Sequence, residues 1–224
     1  MRGRFITFEG GEGVGKSTQV ERLKRRLEKA NIPVIATREP GGTARAERIR
    51  NAVLSGGGAP YGALAEALLF SAARLDNLRA IIRPALEDGK VVLCDRFFDS
   101  TRVYQGLDPK MDVRLLDTLE RITLDGIRPD LTIVLDLPVD AGMTRAAARR
   151  AEGITAPDRF EREEILFHEK LRRGFLAVAA GEPERCTVIA ADLSPDRIEE
   201  QVWRLVEARL FGAAANAAFT TDVG

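Results

Sequence analysis

Gly10-Gly11-Glu12-Gly13-Val14-Gly15-Lys16-Ser17, followed by Thr18, matches the pattern G-x-x-x-x-G-K-[ST] of a phosphate-binding P-loop. The flanking sequence supplies the context such a loop requires. Phe5 to Phe8 is an apolar run that reads as a strand. Thr18 to Ala30 reads as a helix with Val20, Leu23 and Leu27 on one face. Glycines in such a turn let backbone N–H groups converge on phosphate oxygens, and the helix N-terminus adds a positive dipole. The motif therefore predicts that Gly10, Gly11, Glu12, Gly13, Val14, Gly15, Lys16, Ser17 and Thr18 cradle a nucleotide's phosphates. Lys16 is expected to reach the β- and γ-phosphates, and Ser17 to ligate Mg²⁺. Without that context the same stretch would be an ordinary Gly-rich turn.

Outward from the loop, strand and helix patterns alternate. Pro33 to Thr37 reads as a strand, and Ala46 to Leu54 as a helix after a loop from Arg38 to Thr43. Ser55-Gly56-Gly57-Gly58 is a flexible break. Ala63 to Leu86 reads as helix, with Pro84 implying a kink or a second helix. Lys90 to Asp95 and Leu131 to Leu137 are continuous apolar runs, the pattern of parallel strands buried on both faces. Helices are expected at Val113–Asp125, from Asp140 to Arg150 with Asp140 as N-cap, at Glu161–Ala180 and at Pro195–Phe211. Thr187 to Ala190 is the last strand. Short apolar strands separated by helices predict an α/β fold, a five-stranded parallel sheet with helices on both faces. One domain is expected over residues 1–211, with 212–224 a frayed Ala-rich tail.

Composition narrows the partners. Lys+Arg and Asp+Glu number 34 each, so no basic excess points to nucleic acid. Arg outnumbers Lys, which suits bidentate phosphate contacts but could equally reflect genome composition. Cys94 and Cys186 stand far apart in apolar segments and read as buried core residues, not a disulfide or metal site. The single histidine, His168, cannot build a His-cluster metal site and is expected to be solvated or capping. A strand begins within five residues of Met1 and no apolar run is long enough to span a bilayer, so the expected location is cytoplasmic, with no membrane partner.

A P-loop on such a fold leaves several chemistries open. The Asn-Lys-x-Asp motif of GTPases is not in the sequence. More specific is an ordered series of motifs: Phe8-Glu9-Gly10 through Thr18; Thr37-Arg38-Glu39-Pro40-Gly41-Gly42-Thr43; Asp95-Arg96-Phe97 with Ser100-Thr101 and Tyr104-Gln105-Gly106; Arg128-Pro129-Asp130-Leu131-Thr132; and Asp158-Arg159-Phe160-Glu161. In that order and spacing the series resembles the thymidylate kinase family, from about residue 4 to 210. The resemblance implies the nucleoside monophosphate kinase fold with a short lid, phosphorylation of dTMP to dTDP by ATP and Mg²⁺, and a homodimer. Its branch is the bacterial type with basic residues in the lid.

The site residues follow partly from chemistry and partly from that resemblance. Asp95 ends a buried strand at the sheet's carboxyl edge, where a carboxylate can hold Mg²⁺ directly or through water; a strand-end ion pair with Arg96 is the plain alternative. The resemblance assigns Arg96 to the phosphate of dTMP. Phe70 and Arg74 are four residues apart on one helix and share a face. Read alone they are a core Phe and a solvated Arg; the resemblance makes them a ring that stacks on thymine and a donor to its O4. It likewise implies substrate contacts for Glu39, Ser100, Thr101 and Gln105, and places Tyr104 where a ribose 2′-OH would sit. Asn77 stands where the family often carries histidine.

Glu12 is an unusual choice beside a triphosphate, and the loop lacks the basic neighbour that one branch of the family carries. Its compensating charge is expected from Arg145, Arg149, Arg150 and Arg159, which flank the Gly/Pro-interrupted stretch 151–158. That layout suits a lid over about residues 149–160 that brings an arginine to the transferring phosphoryl. Lys16, Arg96, Arg149, Arg150, Arg159 and Glu12 are thus the expected catalytic set. The alternatives are a P-loop kinase of another nucleotide or deoxynucleoside, and a catalytically silent nucleotide-binding module. The intact set of Lys16, Ser17, Asp95 and Arg96 argues against the second.

Overall fold

Continuous apolar runs become the strands of one parallel sheet in the computed structural model, which describes residues 2–151, 159–160 and 163–212. Among these residues the strands are β1 (Arg4–Glu9), β2 (Val34–Arg38), β3 (Val91–Asp95), β4 (Leu131–Asp136) and β5 (Cys186–Ala190), in spatial order β2-β3-β1-β4-β5. β1 lies between β3 and β4, in registers that pair Phe8 with Asp95 and with Ile133. The central strand therefore delivers its carboxyl end, and the loop after it, between the ends of its neighbours.

The helices are α1 (Lys16–Lys29), α2 (Ala44–Leu54), α3 (Gly62–Asn77), α4 (Arg83–Glu87), α5 (Phe98–Gly106), α6 (Val113–Leu124), α7 (Val139–Ala151), α8 (Ile165–Gly181) and α9 (Pro195–Val206). The pleat sends successive β1 side chains to opposite faces. Ile6 and Phe8 pack with Leu23 and Leu27 of α1 and Val202 and Trp203 of α9. Phe5 packs on the other face with Val92, Cys94, Phe97 and Leu124. Helices cover both faces, as expected. Full burial of such a Leu or Phe side chain contributes about 1.5–3 kcal/mol. Cys94 and Cys186 are both buried free thiols, as the sequence suggested.

Several boundaries differ from expectation for local reasons. α1 begins at Lys16, because Gly15 adopts φ 93° and the helix starts directly from the loop. The long helix ending near Leu86 is interrupted by a wider, π-type turn over Leu78–Ile82, and Pro84 sits in the first turn of the next helix. Asp140 is not an N-cap. The Gly142 N–H donates to the Pro138 carbonyl at 3.0 Å, so the helix is already under way and Asp140 lies in its first turn. There a carboxylate still meets the positive helix end. α8 starts at Ile165, not Glu161. The predicted break falls, after Ala151, outside the described residues, and so does the predicted tail after Gly212.

Candidate active site

The P-loop closes between β1 and α1 with the geometry its glycines permit. Gly13 has φ 70°, and a Cβ there would stand 1.9 Å from the Gly142 carbonyl oxygen, so only glycine lets α7 approach. α1 carries no side-chain cap and no acid in its first turn, leaving its leading N–H groups to an anion. Lys16 folds over the loop, donating from Nζ to the carbonyls of Gly10 at 3.1 Å and Gly11 at 2.6 Å. Burial, reinforced by the nearby Arg96 charge, lowers its pKa to about 8 against the pull of Glu12 and Asp95. The Ser17 hydroxyl donates to the Asp95 carboxylate. The register of β1 with β3 makes that meeting possible.

Arg96 follows β3 in a left-handed conformation, φ 67°, which a non-glycine residue holds only under constraint. The constraint is visible in its neighbours. Glu9 accepts from the Phe97 N–H at 2.7 Å, the Ser100 N–H at 3.3 Å and the Ser100 hydroxyl at 2.6 Å. The guanidinium donates to the Gly10 carbonyl at 3.1 Å, to Ser100 Oγ at 3.2 Å and to Glu12 Oε1 at 2.5 Å. Tyr104 Oη also donates to Glu12 Oε1, at 3.0 Å. Burial pushes the Glu12 carboxyl up, but Arg96, Lys16 and the Tyr104 hydroxyl outweigh it and hold its pKa down to about 2.

This corrects the expected source of Glu12's compensation. The countercharge comes from Arg96 and Lys16, already within reach on the sheet edge. Arg145 donates instead to the Ala191 carbonyl at 2.8 Å. Arg149 is exposed near the end of α7. Arg159 pairs with Glu66. The Arg150 side chain lies outside what the structure describes.

A cleft with about 560 Å³ of empty space, part of it open to solvent, lies beside Glu12 and Arg96. Glu39, Phe70, Arg74, Ser100, Thr101, Tyr104 and Gln105 all line it, so every residue expected at the acceptor meets there. Arg74 is fixed from two sides. Its Nε donates to Glu39 at 2.6 Å and its Nη2 to Thr101 Oγ1 at 3.0 Å. Burial raises the Glu39 pKa while Arg74 opposes that rise. Asn77 stands behind this pair, accepting from Thr37 Oγ1 at 3.0 Å and donating to Glu39 at 3.5 Å.

Sequence reasoning missed several participants. Arg50 and Phe160 line the same cleft. Arg50 donates to the Pro40 carbonyl at 2.8 Å, a contact that no spacing in α2 announces. Phe160 and Glu9 each stood inside a quoted motif without a role of their own. His168 is not solvated. It is buried on the inward stripe His168, Leu171, Phe175 and Ala179 of α8, and lines a cavity behind Gly10 and Glu12. Its neighbour Arg172 makes a bidentate pair with Asp136 at the end of β4, at 2.7 and 2.9 Å.

A P-loop at the carboxyl edge of this five-stranded parallel sheet, facing a second cleft that contains an arginine, defines a P-loop kinase of the nucleoside monophosphate kinase fold. A thymidylate kinase family model matches residues 8–202. The chain is 54% identical over 216 residues to a thymidylate kinase of Bradyrhizobium sp. (strain ORS 278), spanning 96% of this chain and 95% of that one. It is 55% identical over 215 residues to one of Nitrobacter winogradskyi, spanning 96% and 93%. The crystal structure of thymidylate kinase from Ehrlichia chaffeensis superposes with a TM-score of 0.72 at 33% identity, covering 92% of this chain and 99% of that one. The chain belongs to the thymidylate kinase family.

Proposed function

We propose that this chain transfers the γ-phosphoryl group of ATP to dTMP, giving dTDP and ADP. The observation that carries the reading is the junction of two sites: the cleft lined by Phe70, Arg74 and Tyr104 opens onto Arg96 and Glu12, directly beside the P-loop. Phosphoryl transfer asks for positioning and charge stabilisation rather than covalent catalysis. Lys16 and the α1 N-terminus hold the donor phosphates, and Arg96 takes the acceptor phosphate. Phe70 stacks on the base. With Nε on Glu39 and Nη2 on Thr101, Arg74 keeps Nη1 to serve thymine O4. Tyr104 and Gln105 border the sugar and the base, with Ser100 beside Arg96.

The Ser17 hydroxyl and the Asp95 carboxylate are two hard oxygen donors in mutual contact beside the phosphate loop. Among the described residues no group of three or more His, Cys, Asp and Glu could hold a metal by itself. That set fits Mg²⁺, which keeps most of its shell as water and phosphate. Bound there, the ion would neutralise charge on the β- and γ-phosphate oxygens.

Arg149 and Arg150, at the end of α7, are the proposed donors to the transferring phosphoryl from the lid. Leu64 and Leu68 of α3 and Leu115 and Ile122 of α6 are exposed apolar residues on two helices that pack together. They support a homodimer built across these helices. No helix among the described residues is long and apolar enough to cross a membrane. The proposed compartment is the cytoplasm, where ATP is supplied.

The test is ADP release with saturating ATP and Mg²⁺, comparing kcat/KM for dTMP, dUMP, UMP and dCMP. dTMP should rank first. dUMP lacks one methyl and should lose about 1–3 kcal/mol. UMP sets a 2′-OH against Tyr104 and should fall below dUMP. dCMP presents a donor to the Arg74 donor and should be poor, because a buried charge is left unpaired. UMP or dCMP above dTMP would overturn the acceptor assignment and leave a P-loop kinase of another nucleotide.

A further inference from the structure

Glu66 is a buried carboxylate behind the acceptor cleft. It lies on α3 one turn before Phe70 and is 3% exposed. An isolated carboxylate so placed would cost several kcal/mol, so its partners are structurally committed. They come from two other parts of the chain. Oε1 accepts from Arg159 Nη1, and Oε2 lies 3.5 Å from Gln105 Nε2. Arg159 is held by its backbone as well, its N–H donating to the Leu54 carbonyl at 3.1 Å. Its guanidinium lies 4.7 Å from the ring of Phe160.

Phe160 is what this arrangement positions. It is 7% exposed and packs with Val53 and Phe70. It meets Tyr104 edge-on, with ring centroids 5.2 Å apart. All but Val53 line the acceptor cleft. Phe160 reaches that wall from a segment distant in sequence from α2, α3 and α5. Among the described residues that fix it, the Glu66–Arg159 pair carries charge.

We propose that Glu66 is a positioning residue for the acceptor nucleotide: through Arg159 it holds Phe160 as a wall of the acceptor cleft, and it orients Gln105 at the cleft's edge. The proposal rests on the dTMP reading. It puts Arg159 on the acceptor side and removes it from the residues that meet the transferring phosphoryl.

Steady-state kinetics of Glu66→Gln, Arg159→Gln and the double variant test this, with KM measured separately for dTMP and ATP. Glu66→Gln keeps the side chain's shape and removes its charge. KM for dTMP should rise about tenfold in each single variant, with kcat and KM for ATP within about twofold of wild type. The double variant should be no worse than the worse single one, because the two residues act as one unit. A fall in kcat with unchanged KM for dTMP in Arg159→Gln would assign that arginine to the chemistry and overturn the proposal. So would KM for dTMP within about twofold of wild type in both single variants, or losses that add in the double. Should Glu66→Gln not fold, Arg159→Gln alters a side chain that is 28% exposed and carries the same split alone. Failure of the dTMP reading would show in the wild-type ranking of nucleotides, independently of these variants.

Discussion

Lys16 spends its ammonium on two loop carbonyls and has its pKa lowered to about 8, first by burial and then by Arg96. Lys16→Met keeps the stem and removes the charge. Its kcat should drop about 10²–10³-fold, the loss typical of one preorganised donor at developing charge, while its thermal melt stays close to wild type. A folded variant with near-wild-type kcat would sink the loop's catalytic assignment. Glu9 makes a different prediction. Burial, then the neighbouring Asp99, raises its pKa from 4.5 to about 7. The folded state thus binds a proton there that the unfolded state has released. Its contribution to stability is complete below about pH 4.5 and is lost as pH rises through about 7. Relative to Glu9→Gln, the wild type should therefore lose Tm between pH 5 and 7. A constant difference across that range would show that Glu9 does not titrate there. The motif made Lys16 legible because P-loop chemistry is local. Glu9 and Phe160 were not, because their partners come from other segments and no spacing records them.

At the scale of elements, the strands were the most legible part. A strand buried on both faces is continuously apolar, and β3 and β4 advertise themselves that way. Helix starts were less so. The first turn of α1 is fixed by the backbone angle at Gly15, and that of α7 by the carbonyl of Pro138; neither leaves an apolar signature. His168 was misjudged for a similar reason. Its polarity suggested solvent, but its spacing of three, seven and eleven to Leu171, Phe175 and Ala179 puts it on the core face. The end of α7 carries its own test. If Arg149 or Arg150 meets the transferring phosphoryl, replacing that residue with Ala should lower kcat more than it raises KM for dTMP. With kcat within about twofold of wild type in both variants, the chemistry would not depend on this helix end.

For the whole molecule, α1 and α9 cover one face of the sheet, while on the other side α3 and α5 line the acceptor cleft and α8 packs against α5 and the sheet. α3 works on two sides, presenting Phe70 and Arg74 to the cleft and Leu64 and Leu68 outward. If a second copy covers that outer face, Leu68→Glu should convert a dimer to a monomer by sedimentation velocity. The exposed Leu166→Glu on α8 should leave the assembly unchanged. A wild-type monomer at micromolar concentration would exclude the interface. The contact of Glu12 with Arg96 at 2.5 Å also changes how the acceptor must enter. Arg96 already carries a counterion, so an incoming phosphate does not fill a vacant charge; it exchanges with a carboxylate. A dianionic monoester can win that exchange through a bidentate, charge-assisted contact. Thymidine brings no anion to trade and leaves the pair closed. It should compete with dTMP at least about tenfold more weakly than dTMP binds, as measured by inhibition. The phosphate thus opens its own subsite by exchange with Glu12, and the base adds its affinity on top of that exchange.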